Sequence, residues 1–90
     1  MRLKGKKCIV TGGSSGIGEA TVRRFISEGA EVLIADINLE DSKKLSEEIG
    51  EGVDYIKCDV RLEDDIISVS EKAYGMWDQV DVLVNNAGSE

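Results

Sequence analysis

"TGGSSGIG", residues 11–18, places four glycines and two serines in eight positions directly behind the apolar run Cys8-Ile9-Val10. A chain leaving a strand through such a turn gives up side chains, so whatever the turn does is done by backbone. Residues 17–28 then show helical spacing, with Val22, Phe25 and Ile26 on one face. The turn therefore joins a strand to a helix N-terminus, where unpaired N–H groups and a partial positive charge can hold an anion without basic side chains. On this reading Gly12 permits the sharp turn off the strand, Gly16 removes a Cβ from the path of a pyrophosphate, and Gly18 lets the helix lie near the sheet. Ser14 and Ser15 add hydroxyl or amide donors, and Ile17 belongs to the same ligand-binding turn. An ordinary glycine-rich turn is the plain alternative. A phosphate-binding P-loop is excluded, because it needs Lys and then Ser or Thr after the last glycine, and here Glu19-Ala20 follow Gly18.

Outward from this turn the chain alternates short apolar runs with helical segments. Strands are predicted at 7–11, 31–36, 54–59 and 81–85, and helices at 17–28, 39–49 and 62–74. Nearly continuous aliphatic runs suit a parallel sheet covered on both faces. The second helix pairs Leu45 with Ile49, and the third stacks Leu62, Ile66, Val69 and Ala73. Asn38 and the acids Glu40, Asp41 and Glu63-Asp64-Asp65 mark helix starts, while Gly29 and Gly50 mark stops. Strands joined by helices pair in parallel through right-handed crossovers. If the chain winds outward through strands one to three and returns for the fourth, the order is 3-2-1-4. The fold class is thus α/β, a doubly wound parallel sheet, β-α-β-α-β-α-β, with a ligand crevice at the carboxyl ends of strands one and four.

Composition narrows the function. Ninety residues make one domain or part of one, and 41% apolar with 32% charged residues fits a folded, soluble unit. A net charge of -7 excludes bulk attraction to nucleic acid or an anionic membrane. The basic N-terminus, with Arg2, Lys4, Lys6 and Lys7, is followed by too short an apolar run for a signal peptide or a membrane span, so a cytoplasmic location is expected. With no His and only Cys8 and Cys58, neither a histidine triad nor a four-ligand zinc site can be assembled, and no metal is expected. The two cysteines, on strands one and three, lie about 9.6 Å apart from two ~4.8 Å strand spacings. A disulfide needs about 7 Å or less, so none is expected.

The glycine spacing is G-x-x-x-G-x-G, and with it the chain resembles the short-chain dehydrogenase/reductase family, whose signature is TGxxxGxG. "CDV" at 58–60 and "NNAG" at 85–88 match further signatures of that family in order and context, so the resemblance spans the whole chain. It implies a Rossmann-like fold and the N-terminal, cofactor-binding part of an oxidoreductase that exchanges hydride between a nicotinamide and an alcohol or ketone. The resemblance also implies adenine contacts for Asp59, through its carboxylate, and for Val60, through backbone. It implies a backbone wall of Asn86, Ala87 and Gly88 near the ribose and nicotinamide, and a structural amide at Asn85 directed to a further strand.

Asp36 is notable without any family. It ends strand two, 20 residues after Gly16, where a carboxylate can accept hydrogen bonds from both adenosine ribose hydroxyls. A 2'-phosphate about 4 Å away would be repelled by roughly 4 kcal/mol at an effective dielectric of 20. Family members preferring NADP resemble one another in a basic residue after this acid or before the second glycine. Here those positions are Ile37 and Ser15, so NAD is the expected cofactor.

Family catalysis uses a Ser, and a Tyr with a Lys four places on, downstream of these residues. Tyr55 and Tyr74 have Asp59 and Asp78 at that spacing. Both tyrosines, with Trp77 and Met76, are expected to pack. The 90 residues thus hold no catalytic residue and are expected not to turn over substrate alone. The alternative is a non-catalytic dinucleotide-binding or regulatory module. Residues 82–84 form an apolar sheet edge that invites self-association, so a homo-oligomer is expected.

Overall fold

Strands and helices alternate without exception: β1 (Lys7–Thr11), α1 (Gly16–Ser27), β2 (Glu31–Asp36), α2 (Leu39–Ile49), β3 (Val53–Lys57), α3 (Glu63–Met76) and β4 (Val82–Asn85). The computed structural model describes residues 2–12, 14 and 16–86. The four strands form one parallel sheet in the order β3-β2-β1-β4, the Rossmann-like arrangement expected from right-handed crossovers. In register, Cys8 sits between Val32 and Val82, and Thr11 between Ala35 and Asn85. The direction of winding reverses between β1 and β4, which makes their carboxyl ends the switch point where sheets of this kind place a ligand crevice.

Side chains alternate across the sheet and divide the core into two layers. Cys8, Val10, Val32 and Ile34 face α1 and α2, where Val22, Leu45 and the flanking Phe25, Ile26 and Ile49 meet them. Ile9, Leu33 and Ala35 face α3, against Val69, Ala73 and Trp77. Leu33, Ile34, Val10, Val22 and Val32 are fully buried, each contributing about 1.5–3 kcal/mol of apolar transfer. β1 and β2 are apolar on both faces because both are covered. β4 is different: Leu83 is 65% exposed, since α3 reaches over β1 and leaves the outer half of that face open.

The helix boundaries have identifiable causes. Asn38 caps α2, its side chain accepting the Asp41 N–H at 3.0 Å, and the helix ends at Gly50, whose N–H donates to the Ser46 carbonyl. α3 starts at Glu63 behind Leu62, which provides no side-chain cap; Asp65 instead turns back to accept the Asp59 N–H at 2.9 Å. β3 ends at Lys57 rather than at the expected residue 59, because Asp59 leaves the ladder for that bond, although Cys58 N–H still reaches the Asp36 carbonyl at 2.9 Å.

Several packing expectations change. Leu62 and Ile66 are half exposed rather than core, because the α3 stripe that meets the sheet is Val69-Ala73-Trp77. Tyr74 is 60% exposed and Met76 is exposed, so neither packs as expected. Tyr55 is half-buried against the α1/α2 layer, and Trp77 is buried with its indole N–H donating to Glu31 at the amino end of β2. Cys8 and Cys58 are buried free thiols, and burial raises both above the usual thiol range.

Candidate functional site

The glycine turn leaves β1 at its carboxyl end and enters α1 at Gly16. Gly12 has φ 65° and its N–H donates to the Ala35 carbonyl at 2.9 Å, which ties the turn to β2. Gly16 has φ 54°, a left-handed conformation that L side chains adopt at a cost of about 1–2 kcal/mol. A Cβ built there meets no protein atom within 4 Å, so the space beyond Gly16 is open. Ile17 is 79% exposed, while Gly18 is buried beneath the helix where it approaches the sheet. The first turn of α1 thus ends in solvent-facing backbone, with N–H groups that have no intrahelical partner. Ser15, Ala87 and Gly88, all expected site residues, lie outside the described residues.

Ser14 does not face a ligand alone. Its N–H donates to Asp36 Oδ2 at 3.0 Å and its hydroxyl donates to the same oxygen. Asp36 Oδ1 accepts the Asn38 N–H at 2.9 Å. Both side chains are buried, Asp36 to 7% exposure, which a carboxylate tolerates only when hydrogen-bonded. The sequence reading gave Asp36 two open acceptor positions; in the structure three donors already occupy it. Ile37, next along, is 55% exposed and carries no charge toward this carboxylate.

Asp59 lies two residues beyond β3. Arg61 grips its carboxylate from both sides, with Nε to Oδ1 at 2.9 Å and Nη2 to Oδ2 at 2.7 Å, while the Arg61 N–H also donates to Oδ1. That guanidinium holds the Asp59 carboxyl at about 2, below its ordinary 3.8. Arg61 was not singled out from sequence, although its i, i+2 spacing to Asp59 was visible.

Val60 contributes to a groove of about 440 Å³ between α3 and the face of β1 and β4 that α3 leaves open, with Thr11, Ile66, Tyr74, Leu83 and Asn85 among its walls. Its polar end is organised by Thr11, whose hydroxyl donates to Asn85 Oδ1 at 2.9 Å and accepts the Asn86 N–H at 3.1 Å. Asn85 Oδ1 is thus tied to β1, and Asn86 is half-buried beside it. Thr11, the first residue of the quoted turn, is a structural member of the site that strand periodicity alone conceals.

From β1 to β3, then, the carboxyl edge carries in sequence an open helix N-terminus, a buried carboxylate and a second carboxylate, about 4.8 Å apart per strand. An apolar groove lies on the β4 side. The carboxyl edge suits an extended ligand with an anionic group at the α1 N-terminus and a sugar over β2.

Comparisons with known proteins bear on the fold and the family. The family model described as short chain dehydrogenase matches residues 6–90. The (21S)-21-acetoxyl-apo-melianone synthase SDR of Melia azedarach is 41% identical over 87 residues, covering 97% of this chain and 32% of that protein. Tropinone reductase-like 1 of Erythroxylum coca is 42% identical over 87 residues, with 97% and 32% covered. Among solved structures, 3-ketoacyl-(acyl-carrier-protein) reductase from Brucella melitensis, complexed with NADH, superposes with a TM-score of 0.87 at 33% identity, over 90% of this chain and 33% of that one. The chain spans about a third of the length of the relatives it matches.

Proposed function

Because the chain belongs to the short chain dehydrogenase family, we propose that it is the NAD-binding part of an oxidoreductase that moves hydride between a nicotinamide and an alcohol or ketone. The observation that carries the reading is the open N-terminus of α1 at Gly16 beside a buried carboxylate at Asp36, one strand away. The backbone at Gly16, Ile17 and Gly18 would hold the diphosphate. Asp36 would hold the adenosine ribose, and Asp59 and Val60 the adenine. Asn86 would lie against the cofactor ribose and nicotinamide, as the family signature it belongs to implies. When bound, the nicotinamide supplies a hydride acceptor or donor; the residues of this chain bind and orient it.

NAD rather than NADP is proposed on charge. The residue after Asp36 is the apolar Ile37, and among the described residues Asp36 is hydrogen-bonded to Ser14 and the Asn38 amide, while Lys57 is its register neighbour on β3. A like-charge contact at about 4 Å disfavours the phosphate by roughly 4 kcal/mol at an effective dielectric of 20. Neither Tyr55 nor Tyr74 has a lysine four residues on, so proton transfer to or from a substrate hydroxyl is not assigned to these 90 residues.

Isothermal calorimetry with NAD+ and NADP+ on the full chain tests the reading. NAD+ is expected to bind more tightly, and Asp36→Asn to narrow or reverse the preference. Equal affinities in the wild-type protein would remove Asp36 from this role.

A further inference from the structure

The Asp36 carboxylate has a specific accounting problem. Two oxygens offer about four acceptor positions, two on each. Ser14 fills both on Oδ2, through its N–H and its hydroxyl, and the Asn38 N–H takes one on Oδ1. Among the described residues one position remains, whereas a ribose diol presents two donors.

We propose that the Ser14 hydroxyl is a placeholder for a sugar hydroxyl: it holds Asp36 Oδ2 until a vicinal diol arrives, then yields that position, and so sets how strongly the protein favours a complete diol over a deoxy sugar. The inference rests on the dinucleotide reading and adds the residue that tunes its ribose end. Of the three donors only this one can yield. The Ser14 and Asn38 amides are fixed by the chain, while a serine hydroxyl swings away by rotation about one side-chain bond. The exchange leaves the number of donors on Oδ2 unchanged, which matters because both partners are buried, 9% exposed at Ser14 and 7% at Asp36. A buried carboxylate oxygen left short of a donor would be strongly disfavoured, so the hydroxyl leaves only as another takes its place. A sugar with one hydroxyl fits the position already open on Oδ1 and displaces nothing.

The probes are ADP, which carries both ribose hydroxyls, and 2'-deoxy-ADP, which carries one. Calorimetry on the full chain compares the wild-type protein with Ser14→Ala. Without the hydroxyl, ADP has no bond to displace and is expected to tighten about tenfold, the worth of one hydrogen bond to a charged group. The affinity for 2'-deoxy-ADP should stay within about twofold, so the ratio of the two dissociation constants rises about tenfold. Ser14→Thr keeps a hydroxyl and should keep the wild-type ratio, while Ser14→Gly is a second hydroxyl-free variant for the case that the alanine form does not fold. A ratio unchanged in both hydroxyl-free variants, or a parallel shift of both ligands, overturns the placeholder and leaves the dinucleotide reading standing. Failure of the wild-type protein to bind either ADP or NAD+ overturns the dinucleotide reading and this inference with it.

Discussion

Replacing Gly16 by alanine separates the stability of the glycine turn from its ligand chemistry, because the structure assigns the two effects different sizes. Gly16 has φ 54°, and an L residue there costs about 1–2 kcal/mol. Steric overlap adds nothing, since the new Cβ meets no protein atom within 4 Å. For a domain of this length, 1 kcal/mol lowers the melting temperature by about 4–8 °C, so Gly16→Ala should melt roughly 4–16 °C below wild type and still fold. Binding should suffer separately. The methyl group would stand in the open space at the α1 N-terminus, where a diphosphate must come within hydrogen-bond distance of the backbone. A loss of at least about tenfold in affinity, or 1.4 kcal/mol, is expected for NAD+. Gly16→Asn is the control, because asparagine enters the left-handed region more readily. It should recover part of the stability and none of the binding. Circular dichroism melts and calorimetric titration of the same samples provide both numbers. A Gly16→Ala protein that melts lower yet binds NAD+ as the wild type does would refute the placement of the phosphates at this turn.

Other outcomes follow from single contacts. Arg61 holds the Asp59 carboxyl at about 2, so the folded value lies below the unfolded one. The stabilisation is then complete above about pH 4 and lost as pH falls through 2; Arg61→Ala should remove this part of the acid unfolding profile, and an unchanged profile would dismiss the ion pair. Leu33 is fully buried in the strand between β1 and β3, and Leu33→Ala should cost about 3–5 kcal/mol in urea unfolding, a large share of the roughly 5–13 kcal/mol expected for 90 residues. A loss below about 1 kcal/mol would mean that the α3-side layer collapses around the missing volume.

Strand order was legible because it depends on few rules. Apolar runs at 7–11 and 31–36 are buried on both faces, and right-handed crossovers leave little choice of topology. Asp36 stood out as a candidate because a carboxylate ending such a run has few reasons to be there. Its partners did not, since Ser14 is 22 residues away and meets Asp36 only after β1 and β2 pair. Tyr74 was misread for a different reason. It stands one residue beyond Ala73, and about 100° of helical rotation turns it from the sheet into the groove. The bond from Thr11 to Asn85 was not legible, because the two are 74 residues apart and become lateral neighbours only when β1 and β4 pair.

The indole of Trp77, the only tryptophan in the chain, is anchored to Glu31 at the far pole of β2 from Asp36. Five residue steps of about 3.3 Å put the two ends some 17 Å apart. Its emission should therefore register the docking of α3 on the sheet, while a reduced nicotinamide arriving at the opposite rim quenches it by energy transfer without touching it. The protein carries its own optical ruler, with one mark on the fold and the other on the ligand.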